Sequence, residues 1–264
     1  MHLLSCANLY EGNRVSTIDT VAKENDMGLV KTRRLAAMEK QQTRFAALVS
    51  RIDADDILRK RFGEYFAVGK YKRLLKGVAN GEIGTEDFQH DFNHFCMVRK
   101  DKKWRAVFYE LFAELAKRRS RVAFGDVLLE LDKRLKRKLH SESLEVSFSS
   151  KMLAFLRPND FPIWDSRVVN YLRIKEGVDL TLKVKGPLER REEEALRNFD
   201  ALTKWVKNAL NTKEVMAALK RFDNYFPKEA VKGISPIKKL DWLLWADGGY
   251  ERRRECQSLA TRFE

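Results

Sequence analysis

The sequence predicts an all-α protein, and three observations lead to this expectation. Apolar residues recur every three or four positions through most of the chain, which is the period of an amphipathic helix. Alternating strand patterns are scarce: the run 181–185 fits a short strand, although a loop fits it equally well. The 264 residues include 13 glycines and five prolines, which is few enough for long helices. We therefore expect about ten helices.

The patterning divides the chain into three regions. Residues 1–33 are weakly patterned and are expected to form a loose N-terminal arm. Residues 34–140 and residues 141–264 each carry enough apolar stripes for a helical lobe. A chain of this length fits one large domain or two packed lobes, and we expect two lobes.

Three apolar stripes define the helices expected in the first lobe. They lie at 45–52, 104–115 and 124–135, each within an otherwise charged segment. Thr85 and Asp101 precede helical segments, and their side-chain oxygens can accept a backbone N–H. We therefore expect both residues to be N-caps.

Prolines and glycines mark the helix ends expected in the second lobe. Pro187 is suited to the first position of one helix, because its missing N–H would be unpaired there in any case. Ser235-Pro236 begins the last strongly periodic segment, and Gly248-Gly249 ends it. These signals agree with the apolar stripes between them.

The charge balance predicts a polyanionic partner. The chain has 52 lysines and arginines against 38 acidic residues, which gives a formal net charge of +14. A surplus of this size is typical of proteins that bind nucleic acid. A basic protein without such a partner is the simpler alternative.

The cysteines and histidines do not predict a metal centre. Cys6, Cys96 and Cys256 are isolated, which argues against a zinc ribbon and fits a reducing cytoplasm. His90 and His94 have a spacing that suits zinc, but we interpret them as a partly buried pair. No apolar run approaches the ~20 residues of a membrane helix. We expect a cytoplasmic monomer without metal, cofactor or membrane contact.

Residues 147–173 interrupt the regular helical pattern. A short helix at 150–156 is expected to stop before Pro158, and Pro162 then fixes a bend. Asp165 is suited to cap the following helix, 166–173. Lys151 is then expected at one helix start and Asp165 at the next. A short helix and a tight loop can bring both side chains into one cleft.

The neighbours of Asp165 favour a chemical role for its carboxylate. Phe161 and Trp164 form part of an apolar wall beside it. A carboxylate in such a wall is incompletely solvated, which is a condition for an electrostatic or reactive role. The simpler interpretations are a plain N-cap for Asp165 and a surface lysine for Lys151.

The same segment resembles a known family. Ser150-Lys151, the short apolar helix and the run 161–168, Phe-Pro-Ile-Trp-Asp-Ser-Arg-Val, resemble the core of the helix-hairpin-helix DNA glycosylase superfamily. The likeness is nearest to the 8-oxoguanine-glycosylase-like branch and to bacterial anti-phage glycosylases that excise glucosylated hydroxymethylcytosine. The run 237–245 resembles the C-terminal helix that closes the base pocket in that branch. The resemblance implies a helix-hairpin-helix-like element and a cleft between the lobes.

The resemblance also implies an activity. A DNA glycosylase everts a modified or damaged base from double-stranded DNA and hydrolyses its N-glycosidic bond, leaving an abasic site. Asp165 corresponds to the essential aspartate, which stabilises positive charge on the sugar. Lys151 corresponds to the helix lysine, and whether it also attacks the sugar as an amine stays open. No cofactor is implied.

Candidate substrate contacts surround these two residues. Everted bases are held by aromatic stacking, and phosphates by cations or by free backbone N–H groups at a helix start. The base-pocket candidates are Phe148, Trp164 and Trp245, and the DNA-binding candidates are Ser149, Ser150, Arg157 and Arg167.

Two other functions remain open at this point. Arg134 and His140 satisfy a loose pattern that resembles HEPN ribonucleases, although chance matches are frequent in so basic a chain. A non-enzymatic DNA-binding protein would explain the charge alone.

Overall fold

The computed structural model describes residues 66–118, 122–141, 143–181 and 186–246. These residues are helical or irregular, with no strand among them, so the predicted all-α fold is confirmed. The predicted arm 1–33, the stripe 45–52 and most of the run 181–185 lie outside the described residues.

Ten α-helices occur in the described part of the chain. In chain order they are α1 Phe66–Ala79, α2 Glu86–Phe95, α3 Lys102–Lys117, α4 Phe124–Leu139, α5 Val146–Leu156, α6 Ser166–Lys175, α7 Leu188–Ala209, α8 Lys213–Tyr225, α9 Lys228–Val231 and α10, residues 236–246. A single 3₁₀ turn, Glu82–Gly84, precedes α2.

Both predicted N-caps are confirmed. The Thr85 hydroxyl accepts the backbone N–H of Phe88 at 3.3 Å. The Asp101 carboxylate accepts that of Trp104 at 2.9 Å. Each bond pairs one of the N–H groups that a helix start leaves without a partner, so α2 and α3 begin where the sequence indicates.

One connected apolar core receives side chains from all ten helices, so it includes residues of both predicted lobes. Aromatic rings are prominent around α5, where Phe155 lies 5.1 Å from Phe92 and 5.2 Å from Tyr71 between ring centroids. These three rings are almost completely buried. Helix α5 is thereby fixed against α1 and α2, and it carries Lys151.

No helix in the described ranges is both long enough and apolar enough to cross a membrane. The longest is α7, with 22 residues, and it carries charged residues along its length. Its composition is that of an amphipathic helix with one face in the core.

Candidate functional site

Helix α5 begins earlier than the sequence predicts. It starts at Val146, four residues before the expected start, because Glu145 already accepts the N–H groups of Phe148 and Ser149. Ser149 and Ser150 therefore lie inside the helix, and both are completely buried. The expectation that their N–H groups stand at a helix start, open to a phosphate, is wrong.

Ser150 instead joins α5 to the turn that carries Asp165. Its hydroxyl accepts the backbone N–H of Trp164 at 2.9 Å and donates to the carbonyl of Ser147 at 2.8 Å. The hydrogen bond to Trp164 is buried and spans fourteen residues. Since buried hydrogen bonds are costly to leave unpaired, this one fixes the turn against the helix.

Arg157 braces the same turn. Its guanidinium donates to the Asp160 carboxylate at 2.8 Å and lies 4.9 Å from the centre of the Phe161 ring. These contacts occupy one face of a residue that the sequence proposes for DNA binding. The side chain is 29% exposed, so part of it remains open to solvent.

Asp165 caps α6, as the sequence predicts. Its Oδ1 accepts the backbone N–H of Arg167 at 2.8 Å. The carboxylate is half-buried and stands at the positive end of the α6 dipole, which stabilises negative charge. Its Oδ2 has no hydrogen-bond partner among the described residues, so one oxygen remains for another contact.

Lys151 lies in the middle of α5 and is 9% exposed, so the surface-lysine interpretation does not apply. Its Nζ donates to the Ser147 hydroxyl at 3.1 Å and lies 4.7 Å from the centre of the Phe148 ring. No ion pair joins Lys151 to Asp165 in the described part of the chain. The ammonium is thus held by a hydroxyl and an aromatic face rather than by a carboxylate.

A buried ion pair on α10 was not predicted from the sequence. Lys238 Nζ lies 2.5 Å from Asp241 Oδ2, and both side chains are at most a tenth exposed. The ammonium also lies 5.0 Å from the Trp242 ring and 5.5 Å from the Tyr71 ring. The available signal was a Lys and an Asp three positions apart on the same face of a strongly apolar helix.

Lys151, Asp165 and Lys238 affect the pKa values of two buried groups, the Asp241 carboxyl and the Cys96 thiol, and Asp241 itself affects that of Cys96. Burial raises the pKa of Asp241 above its ordinary value; Lys238 and Lys151 oppose the rise, and Asp165 adds to it. Burial also raises the pKa of Cys96 to about 12, and Lys151 and Asp165 again act in opposite directions. Lys151 and Asp165 therefore both lie close enough to Asp241 and Cys96 to affect their pKa values, and the single cleft expected for the two side chains stays a prediction.

A small hollow lies where the turn meets α10. Its volume is about 10 Å³, and the residues that line it include Tyr71, Phe161, Ile163, Lys238 and Asp241. That is room for roughly one water molecule. Ligand sites are usually about 300–1,000 Å³. The hollow is therefore far smaller than a usual ligand site, and neither Lys151 nor Asp165 lines it.

The predicted pocket aromatics have different surroundings. Trp164 is 8% exposed and belongs to the core. Trp245 is partly buried, and the Arg167 guanidinium stacks 4.4 Å from its ring centre. Phe148 is partly buried and packs 4.7 Å from Trp104. Of the three rings, Phe148 and Trp245 have exposed surface beside the candidate site.

The residues of the ribonuclease hypothesis have structural roles. Arg134 donates to both oxygens of Glu114 and to Glu130, at 2.7–2.8 Å. His140 is exposed and ends α4 in a left-handed conformation, with φ 52°. An arginine bound by two carboxylates is poorly placed to bind a phosphate.

The described residues contain no group of three or more His, Cys, Asp or Glu side chains that could hold a metal ion. His90 and His94 are both exposed, so the interpretation of a partly buried pair is wrong. The reason is their place on the outer face of α2, whose core face carries Phe88 and Phe92.

No protein-family model, curated protein or solved structure matches this chain at a significant level. The glycosylase resemblance therefore depends on the residues of 147–173 and 237–245 themselves.

Proposed function

We propose that this protein is a DNA glycosylase, which excises a modified or damaged base from double-stranded DNA by hydrolysing the N-glycosidic bond. The observation that carries the proposal is the buried hydrogen bond between Trp164 and Ser150. It fixes the Asp165 turn against the helix of Lys151. The two groups that glycosylase chemistry needs are thus held by one rigid connection.

Asp165 acts on the sugar. Cleavage of the N-glycosidic bond builds positive charge on the anomeric carbon, and a nearby carboxylate stabilises that charge. Asp165 Oδ1 is held by the Arg167 N–H, which orients the carboxylate. Oδ2 then faces the sugar or positions the attacking water as a general base.

Lys151 serves in one of two ways. As an ammonium, it offsets the negative charges of Asp165 and the DNA backbone. As a neutral amine, it attacks the sugar carbon, displaces the base and forms a Schiff base that leads to strand cleavage. Borohydride trapping decides between them, because only the second route gives a covalent protein–DNA adduct that Lys151→Ala abolishes.

The charge of the chain supports the DNA partner. A net charge of +14 favours association with a polyanion. If the protein contacts ~6–10 phosphates, its affinity for DNA should fall about 10³–10⁵-fold when the salt concentration rises from 50 to 200 mM. We further propose a monomeric cytoplasmic enzyme. The branch that the sequence resembles suggests modified cytosine of phage DNA as the target.

The proposal is tested with Asp165→Asn. Asparagine is as good an N-cap as aspartate, so α6 is expected to remain intact while the negative charge is lost. We expect base release to fall at least a hundredfold, while duplex binding is retained. Mass spectrometry of bases freed from normal, oxidised and phage-modified DNA measures the effect.

The matched control is Asp126→Asn. Asp126 also accepts a backbone N–H at a helix start, that of Ala123 at 3.1 Å, but on the exposed start of α4. It is expected to release bases at the wild-type rate. Equal activity in Asp165→Asn and wild type would refute the glycosylase assignment. A wild-type protein that binds DNA but frees no base would be a non-enzymatic DNA-binding protein.

A further inference from the structure

The connection between α2 and α3 begins with an unusual residue. Met97 has φ 53°, a left-handed conformation, and follows the last residues of α2. The N–H of Val98 bonds the carbonyl of Asn93 at 2.9 Å, which is the six-residue closure of a Schellman motif. Glycine is usual at the Met97 position, because a side chain there is sterically strained.

The Met97 side chain is also exposed to water. It is 62% exposed, although methionine is apolar and normally packs in a core. The position therefore combines backbone strain with an apolar side chain in solvent. Strained residues cluster at functional sites, and the exposed apolar side chain, which His140 lacks, makes Met97 a candidate contact residue.

Cations follow Met97 in the connection and in the first turn of α3. Arg99, Lys102 and Lys103 are exposed, and no ion pair joins any of them to another described residue. Arg134 on α4, by contrast, is bound by two carboxylates. The three cations are thus available to an external polyanion.

One shared aromatic ring places this connection beside Lys151. Cys96, immediately before Met97, is buried, and its pKa responds in opposite directions to Lys151 and Asp165. Lys100 lies 5.7 Å from the Phe148 ring, which also faces Lys151. Residues 97–103, here called the docking loop, comprise the end of this connection and the first two residues of α3, and through Lys100 they lie beside Lys151.

We infer that the docking loop binds duplex DNA, with Met97 inserted at a base step and Arg99, Lys102 and Lys103 on the flanking phosphates. Apolar wedges of this kind partly unstack a base step, and nearby cations hold the backbone. A single exposed methionine buries too little apolar surface to hold a membrane. The inference takes its substrate, duplex DNA, from the proposed function. It predicts effects on the salt dependence of binding and on base unstacking, which are measured separately from base release.

The cations are tested by the triple variant Arg99→Ala/Lys102→Ala/Lys103→Ala. Each phosphate contact contributes about 0.9 to the slope of log affinity against log salt, so the slope should fall by about 2.7. Fluorescence anisotropy of a labelled duplex with a tetrahydrofuran abasic-site analogue measures it. The control Lys204→Ala/Lys207→Ala/Lys220→Ala removes three exposed charges from α7 and α8 and should leave the slope unchanged. Equal slopes in both variants, or no duplex binding by wild type, would overturn the inference.

The wedge is tested by Met97→Gly. Glycine relieves the left-handed strain, so the melting temperature should stay equal or rise. The fluorescence increase of 2-aminopurine placed beside the abasic-site analogue should fall to less than half of wild type, because the base step is no longer opened. Met216→Ala, at an equally exposed methionine on α8, should keep the full increase. An unchanged increase in Met97→Gly would overturn the wedge.

The two proposals fail separately. If the loop variants show the wild-type salt slope and the wild-type fluorescence increase, while Asp165→Asn loses base release, the docking-loop proposal is refuted and the glycosylase proposal is supported. Loop-dependent binding by a protein that frees no base would keep the docking loop and remove the glycosylase.

Discussion

Two ion-pair clusters in this fold show how differently charge is used at the surface and in the core. The surface cluster joins α3 to α4 through Arg134, Glu114 and Glu130. The buried cluster is the Lys238–Asp241 pair on α10, beside the hollow at the Asp165 turn. Both contain short ion pairs, but their surroundings change what the pairs do.

The pKa values of the two carboxyl groups shift in opposite directions. The hydrogen bond from Arg134 holds the pKa of Glu114 below its ordinary value, because it stabilises the carboxylate by more than desolvation destabilises it. Burial raises the pKa of Asp241 despite the adjacent Lys238. The surface pair therefore stabilises its helices modestly, whereas the buried pair places a costly charge next to the proposed active site.

The largest effect is expected from Lys238→Met. It leaves Asp241 buried without its ammonium, which typically costs about 3–5 kcal/mol in the free energy of unfolding. The double variant Lys238→Met/Asp241→Leu should recover most of the loss, because no buried charge remains. Urea unfolding followed by circular dichroism measures both. A single variant as stable as wild type would contradict the cost assigned to the buried charge.

The pH dependence sharpens this prediction. The pKa of Asp241 is raised above its ordinary 3.8, so its contribution to stability is fully present below that value and is lost as the pH rises through the folded pKa. Without Lys238 the pKa rises further. The loss in the free energy of unfolding caused by Lys238→Met should therefore be smaller at mildly acidic pH than at mildly alkaline pH.

A smaller effect is expected from Arg134→Ala, of about 1–2 kcal/mol, since two ion pairs and a buried aliphatic stem are lost. The pKa of Glu114 is lowered below 4.5, so its contribution is present above pH 4.5 and is lost as the pH falls through the folded pKa. The loss of stability caused by Arg134→Ala should accordingly become smaller as the pH falls below 4.5. Thermal unfolding across the acid range measures it.

The control for this prediction is Lys138→Ala on the same helix. Lys138 pairs with Glu110 where both side chains are more than a third exposed. Exposed pairs contribute at most about 1 kcal/mol, so this variant should be close to wild type in moderate salt. If it lost as much stability as Arg134→Ala, the contrast between half-buried and exposed pairs would not hold.

The helices and their caps were predictable because their signals are local. An apolar stripe and a capping side chain at Asp101 or Asp165 depend only on neighbours along the chain. The start of α5 was misplaced because Glu145 is an unusual N-cap and Phe148 packs on the distant Trp104. Only the tertiary contact explains why the helix extends backwards.

The residues proposed for the site come from the sequence, but their environment does not. The spacing and the family resemblance suggest Asp165 and Lys151, whose roles stay a prediction, whereas the burial of Lys238 and Asp241 depends on how α10 packs against Tyr71. A pair of charged side chains on a helix is usually solvated, so the sequence alone predicts that Lys238 and Asp241 lie at the surface. The same limit applies to Ser149 and Ser150, whose burial follows from the whole core.

The hydrogen bond between positions 150 and 164 also gives a rule for recognising related chains. Its acceptor is a small hydroxyl, so serine or threonine is expected at position 150, and valine or alanine would break the link. Its donor is a main-chain amide, so position 164 tolerates many side chains but not proline. This hydrogen bond can persist in related chains after the surrounding residues have diverged too far for their sequences to be aligned.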